Sequence, residues 1–219
     1  MPHARWPRLL AITDLTRIAA EETLRRARAL SALATPGGLA VLLRDHGASA
    51  RERLALGREL RALTLAAGQE LWVADRLDLA LALGADGLHL GEGSVPAAEA
   101  RQLLGADYRI SRAWHPGAAA GPPRSAAELA FELRDADALV LSPVLAARKS
   151  RPALGVEALP AVGERLQQVG LTPRVYALGG VTSSSAAQCL AAGAWGVAAI
   201  GSVWSDDAAA LATALGLLR

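Results

Sequence analysis

The sequence predicts an α/β fold, a single (β/α)8 TIM barrel formed by residues 1–219 as one domain. Three observations predict it. Short apolar runs of β type alternate with longer Ala/Leu/Arg segments of helical period. The unit recurs eight times at a spacing of roughly 25–30 residues, as in a closed (β/α) barrel. Local punctuation agrees with the count. Gly84-Ala85-Asp86-Gly87 and Gly193-Ala194-Trp195-Gly196 each end a helix on glycine and start a strand at once. Pro96 sits in the first turn of its helix, with Ser94 before it as the expected cap.

In order, the strands are expected at residues 8–13, 39–43, 70–74, 86–90, 108–113, 137–142, 174–178 and 195–200. The helices between and after them are expected at 18–34, 49–67, 75–83, 96–104, 126–133, 156–169, 183–191 and 206–217. Residues 116–123, rich in proline, and 148–152 read as loops at the C-terminal ends of the fifth and sixth strands. An open doubly wound sheet would show the same alternation. Ile12-Thr13-Asp14 follows the first strand where such a sheet would carry G-x-G-x-x-G, so the barrel is preferred.

Hydrophobic residues make up 52% of the chain and aromatics only 4%, so the core is expected to be Ala, Leu and Val rather than stacked rings. The mean hydropathy is +0.25, yet no apolar stretch reaches the roughly 18 residues of a membrane span. Residues 1–8 are too short and too charged for a signal peptide, and the expected compartment is the cytoplasm. Cys189 is the only cysteine, which excludes an internal disulfide and a cysteine metal cage and leaves it the reading of a small core residue. The net charge is +2 and the pI 9.2. Arginines such as Arg25, Arg26 and Arg28 recur at helical spacing among acidic residues, as on solvated helix faces. Nucleic acid is therefore not an expected partner. The 23 basic residues include a single lysine, Lys149, a hint that an ammonium is needed in its loop.

Barrel enzymes work at the ends of strands, on the face built by the βα loops. Strand seven runs into Ala177-Leu178-Gly179-Gly180-Val181-Thr182 and strand eight into Ala199-Ile200-Gly201-Ser202. Adjacent glycines let the backbone approach an anion, and the helix starts that follow offer unpaired N–H groups. Gly179, Gly180, Gly201 and Ser202 are thus expected to cradle a phosphate, against the reading of plain tight turns. Arg44 ends strand two and could reach the mouth, or be one more surface arginine. Asp75 after strand three is either a helix cap or a hard-oxygen ligand for Mg²⁺. His89 alternates with leucines and reads as a barrel-interior histidine or a catalyst, and Glu92 is the carboxylate of that loop. His115, past strand five, is the general acid/base candidate. Lys149 suits a mobile cation closing over phosphate better than a Schiff-base lysine.

Several of these strings resemble the thiamine phosphate synthase family, in family order across nearly the whole chain. They include Ala11-Ile12-Thr13-Asp14, Ala74-Asp75-Arg76-Leu77-Asp78, Gly84-Ala85-Asp86-Gly87-Leu88-His89-Leu90-Gly91, Ser142-Pro143-Val144 and Ala177-Leu178-Gly179-Gly180-Val181. The superfamily also holds the TenI-like thiazole tautomerases. The resemblance implies that a thiazole phosphate binds after strands seven and eight. In the synthases an aminopyrimidine diphosphate is also held, by Mg²⁺ and by basic and amide side chains. That half departs from the pattern. The family's Gln-x-Arg-Glu-Lys reads Leu42-Leu43-Arg44-Asp45-His46, and its Asn-Asp reads Ala74-Asp75. The second Mg²⁺ aspartate aligns with Ser94 and the serine after strand five with Ala113. The threonine-rich loop reads Ala146-Ala147-Arg148-Lys149.

These losses all deprive a diphosphate–metal complex of ligands, so the sequence favours a TenI-like tautomerase. Such an isomerase needs no metal, only phosphate anchoring and an acid/base such as His115. The alternatives are a divergent synthase using Mg²⁺ at Asp75, with Glu92 as a weaker ligand, and a non-catalytic phosphate-binding barrel. The partner expected is a small phosphate ester, with a homodimer open as the assembly.

Overall fold

The computed structural model describes residues 5–115, 125–148 and 150–218. Eight parallel strands form a closed barrel in sequence order. They are β1 (Leu9–Ile12), β2 (Leu39–Leu43), β3 (Glu70–Ala74), β4 (Gly87–Leu90), β5 (Arg109–Trp114), β6 (Ala138–Leu141), β7 (Arg174–Leu178) and β8 (Gly196–Ala199). Leu9 pairs with Val197 and Ala11 with Ala199, so β8 returns to β1 and no sheet edge remains. The closure decides against an open doubly wound sheet. The helices are α1 (Ala20–Leu33), α2 (Ala50–Ala67), α3 (Leu77–Leu83), α4 (Ala97–Leu104), α5 (Ala126–Leu133), α6 (Ala158–Gln168), α7 (Ser183–Ala191) and α8 (Ala208–Ala214).

The strands are apolar runs because both of their faces are covered. In β3, Leu71 and Val73 turn outward into the core shared with the helices, while Trp72 and Ala74 turn into the barrel. The helix-facing core is mostly aliphatic, with Trp114 and Trp204 among its members, and Cys189 lies buried within it. The barrel floor is not. Trp72 and Tyr176 are fully buried there, and Trp6 meets Trp72 edge-on at 6.0 Å. Gly87 makes room: a Cβ at that position would lie 2.7 Å from the Trp72 indole. Beneath them Glu70, fully buried, accepts from Trp72 Nε1 at 2.8 Å and faces Arg109 at 2.8 Å. Burial pushes the Glu70 carboxyl up to about 7, against the pull of Arg109. The guanidiniums of Arg109 and Arg174 stack on Trp6 at 4.5 and 4.3 Å.

Two helix caps differ from expectation. Helix α3 begins at Leu77, and Arg76 rather than Asp75 holds the N-cap position, without a side-chain cap. Pro96 holds that position in α4, and the hydroxyl of Ser94 is turned elsewhere. Where Ser caps are present they form capping boxes, Ser49 with Glu52 and Ser125 with Glu128. The last helix, expected at 206–217, is confined to α8, and a one-turn 3-10 helix, Ser202–Trp204, precedes it. Among the described residues no helix is long and apolar enough to cross a membrane.

Candidate active site

The C-terminal ends of the strands surround a cavity of about 210 Å³. Its floor is the topmost inward layer of the barrel, including Ile12, Ala74, His89, Ala113 and Val140. Its rim carries charge: Arg44, Arg148 and Arg151 face Asp75 and Glu92, with His46 and His115 beside them. Of the residues expected to act, Arg44, Asp75, Glu92, His115 and Gly179 therefore meet in one cavity. Lys149 and residues 116–124 lie outside the described residues.

Asp75 follows β3 directly at φ +61, a conformation that asparagine and aspartate adopt more readily than most side chains. Its backbone N–H donates to His89 O at 2.9 Å. Its Oδ1 accepts from Gly91 N at 2.7 Å and from the Ser94 hydroxyl. Asp75 is thus no helix cap; it pins the loop after β4 to the end of β3. The contact with Asp75 places Ser94 directly beside it at the rim. Oδ2 lies on the other side, 3.9 Å from His46 Nε2.

His89 is the register partner of Ser111 across the β4–β5 pair, so both side chains enter the barrel side by side. The imidazole Nδ1 lies 2.9 Å from Ser111 Oγ. Burial lowers its pKa to about 4, although Asp75 pulls the other way. His89 is accordingly neutral near pH 7, an uncharged polar group in the cavity floor.

Glu92 accepts from Arg151 at 2.9 Å, which ties the loop after β4 to the loop after β6. Arg112, nearly buried, braces the same loop by donating to Val95 O at 2.9 Å. The Glu92 carboxylate is engaged by a guanidinium rather than set beside Asp75 as a joint metal ligand. Among the described residues no group of three or more His, Cys, Asp or Glu side chains is placed to hold a metal ion. Arg44 is anchored through its backbone N–H, which donates to Thr13 Oγ1 at 3.0 Å, and its Nη2 lies 4.0 Å from Asp14.

The loops after β6 and β7 are packed on each other. Val144 N donates to Leu178 O, and Leu145 N to Gly179 O, both at 2.8 Å. Gly179 and Gly180 have φ of +106 and +76. A Cβ on Gly179 would lie 3.0 Å from Pro143, and one on Gly180 would lie 2.6 Å from Ala146 Cβ. Both glycines thus have a packing reason independent of any ligand. Ser202 Oγ donates to Val181 O at 2.8 Å and joins the loop after β8 to its neighbour. The serine hydroxyl is therefore engaged, and what this corner offers an anion is backbone. Among the described residues, the N–H groups of Gly180, Val181, Gly201 and Ser202 make no hydrogen bond.

Sequence reasoning missed Arg148 and Arg151. The two residues pair antiparallel, each N–H donating to the other's carbonyl at 3.0 Å, in a tight turn at the rim. A cluster of basic residues in a chain of interleaved charges, Arg148-Lys149 and Arg151, was the available signal.

The profile of the thiamine monophosphate synthase (TMP-TENI) family matches residues 9–203. The chain belongs to this family. It is 35% identical over 206 residues to a thiamine-phosphate synthase of Methanoculleus marisnigri, covering 90% of this chain and 92% of that one. A thiamine-phosphate synthase of Moorella thermoacetica is 37% identical over 183 residues, covering 82% and 81%. Among solved structures, the thiamine phosphate pyrophosphorylase from Pyrococcus furiosus superposes with a TM-score of 0.74 at 27% identity, over 95% of both chains. The family resemblance read from the sequence is borne out. Within the family, the relatives' names favour the synthase alternative over the tautomerase that the missing ligands suggested.

Proposed function

We propose that the protein is a thiamine-phosphate synthase. It would join an aminopyrimidine methyl diphosphate to a thiazole phosphate: the bond from the pyrimidine methylene carbon to oxygen breaks, a carbon–nitrogen bond to the thiazole forms, and pyrophosphate leaves. The observation that carries the reading is the rim of three guanidiniums, Arg44, Arg148 and Arg151, against two carboxylates. That concentration of guanidiniums at the rim suits a diphosphate, which guanidiniums bind in bidentate fashion. The loop after β6 thereby adds cations where His46 stands in place of the lysine of the family pattern at the end of β2. The names of the relatives support the same reading.

The remaining residues divide between the two substrates. The unpartnered N–H groups of Gly180, Val181, Gly201 and Ser202 suit the thiazole phosphate. Magnesium is commonly held by one or two carboxylates together with substrate phosphates, and the donor set here fits that pattern. Asp75 would hold the ion with Ser94 adjoining, and a bound Mg²⁺ would neutralise the departing diphosphate. His89 presents a neutral hydrogen-bonding group at the floor. Ala74 and Ala113, in place of the family's asparagine and serine, keep the floor apolar around it.

The test is incubation of the purified protein with Mg²⁺, the pyrimidine diphosphate and the thiazole phosphate, with thiamine phosphate and pyrophosphate as the products sought. Product formation that falls when Arg151 is replaced by Ala is the expected result. Isomer interconversion of a thiazole carboxylate phosphate without coupling, lost in His115→Ala, would instead establish the tautomerase. That second reading draws on one observation, the position of His115 on the same cavity. Binding of thiazole phosphate with neither reaction would leave a non-catalytic barrel.

A further inference from the structure

Arg17, in the loop between β1 and α1, has no part in the roles above. Its Nη1 lies 3.9 Å from the position a Cβ would occupy on Gly201, and no other atom comes within 4 Å of that point. Gly201 has φ −79 and ψ −55, which any residue adopts, and a Cβ there would meet no clash. Neither backbone conformation nor crowding therefore calls for glycine at this position. The Arg17 guanidinium thus stands across from a residue that carries no side chain and whose N–H, like that of Ser202, makes no hydrogen bond among the described residues.

Arg17 is held in that direction. Its Nε lies 3.3 Å from Asp14 Oδ2, and its backbone N–H donates to Asp14 O at 3.0 Å. Asp14 is fixed in turn, accepting from Thr16 N at 3.2 Å and from the Thr16 hydroxyl at 2.5 Å. The same carboxylate oxygen stands 4.0 Å from Arg44 Nη2, so one acid orients cations on both sides of the mouth. The Nε contact engages one edge of the guanidinium and leaves Nη1 directed to Gly201. Arg17 is about half exposed, so no packing role explains its placement.

We propose that Arg17 is a phosphate-binding residue that closes the cradle of the loops after β7 and β8, with Asp14 as its positioning residue. The ligand class is a phosphate monoester. Its oxygens would take backbone N–H groups on the barrel side and the guanidinium on the solvent side. The inference rests on the reading that this cradle binds the thiazole phosphate.

The experiment is calorimetric titration with thiazole phosphate, and with inorganic phosphate as the minimal probe, of the wild-type chain and of Arg17→Ala, Arg17→Lys, Asp14→Asn and the Arg17→Ala/Asp14→Asn double variant. Loss of one charge-assisted contact at a half-exposed site predicts about tenfold weaker binding in Arg17→Ala. Arg17→Lys should recover part of the loss. Asp14→Asn should weaken binding less, and the double variant should bind no worse than Arg17→Ala, because Asp14 acts through Arg17. In turnover, Arg17→Ala should raise KM for thiazole phosphate and leave KM for the pyrimidine diphosphate unchanged. Wild-type binding that Arg17→Ala does not weaken would overturn the role of Arg17 and spare the cradle. Failure of the wild-type chain to bind either phosphate would bring down the cradle and the clamp together.

Discussion

Replacing Gly180 by alanine tests whether the Gly-Gly pair is a packing device as well as a ligand site. At φ +76 an L-residue costs about 1–2 kcal/mol over glycine. The new Cβ would lie 2.6 Å from Ala146 Cβ and 2.9 Å from Ala146 N. Overpacking of that kind costs about 1–3 kcal/mol. The two effects together give about 3 kcal/mol, which for a chain of this size lowers Tm by about 6–12 °C. The strain falls on the loop that carries Arg148 and Arg151, so affinity for the diphosphate should drop with stability. Calorimetric melting of Gly180→Ala alone and combined with Ala146→Gly separates the terms. Ala146→Gly removes the Cβ contact but leaves the close backbone nitrogen and the left-handed φ, so it should restore less than about half of the lost Tm. A fall in Tm of less than about 2 °C in Gly180→Ala would refute the reasoning. Complete rescue would show that backbone strain has no share in it.

Two further outcomes follow from the mouth. The pKa of His89 lies at about 4 in the folded chain, below its ordinary value of 6.5, so the unfolded chain binds more protons between those values. Stability present above pH 6.5 is thus lost as the pH falls towards 4, by on the order of 3 kcal/mol from this group. Urea unfolding at pH 7 and pH 4.5 should show a smaller difference in His89→Gln than in the parent, and an imidazole titrating near 6.5 by NMR would contradict this. Asp75→Asn retains an acceptor for Gly91 N and a residue suited to φ +61, so the fold should survive. Coupling activity should fall by at least about tenfold at fixed Mg²⁺ through loss of the ligand charge, and an unchanged Mg²⁺ titration would remove Asp75 from metal binding.

Much of the site was legible in the sequence because barrel topology converts position along a strand into position in space. Arg44, Asp75, Glu92, His115 and Gly179 all stand at or just past strand ends, and they line one cavity. What pattern could not reveal was the partner of each group. Asp75 and Ser94 are both common helix-cap residues; Ser94 was read as a cap and Asp75 as either a cap or a metal ligand. In the fold they bond to each other, because β3 and β4 end side by side and the helices start a residue or two later. Arg148 and Arg151 read as members of an ordinary loop until a tight turn between them brought both to the rim. Arg17 is close to Gly201 only because β8 closes against β1, a contact between residues 184 positions apart.

The sequence by itself determined the barrel, its strand count and the face that carries chemistry, since those follow from periodicity, glycine punctuation and chain order. It also determined the family, through motifs in a fixed order. Only the tertiary structure decided the charge balance of the mouth, the neutral state of His89, the packing demand behind Gly179 and Gly180, and the approach of Arg17 to Gly201. Each depends on distances between segments far apart in the chain, where burial and neighbouring charge set the chemistry and no local pattern records them.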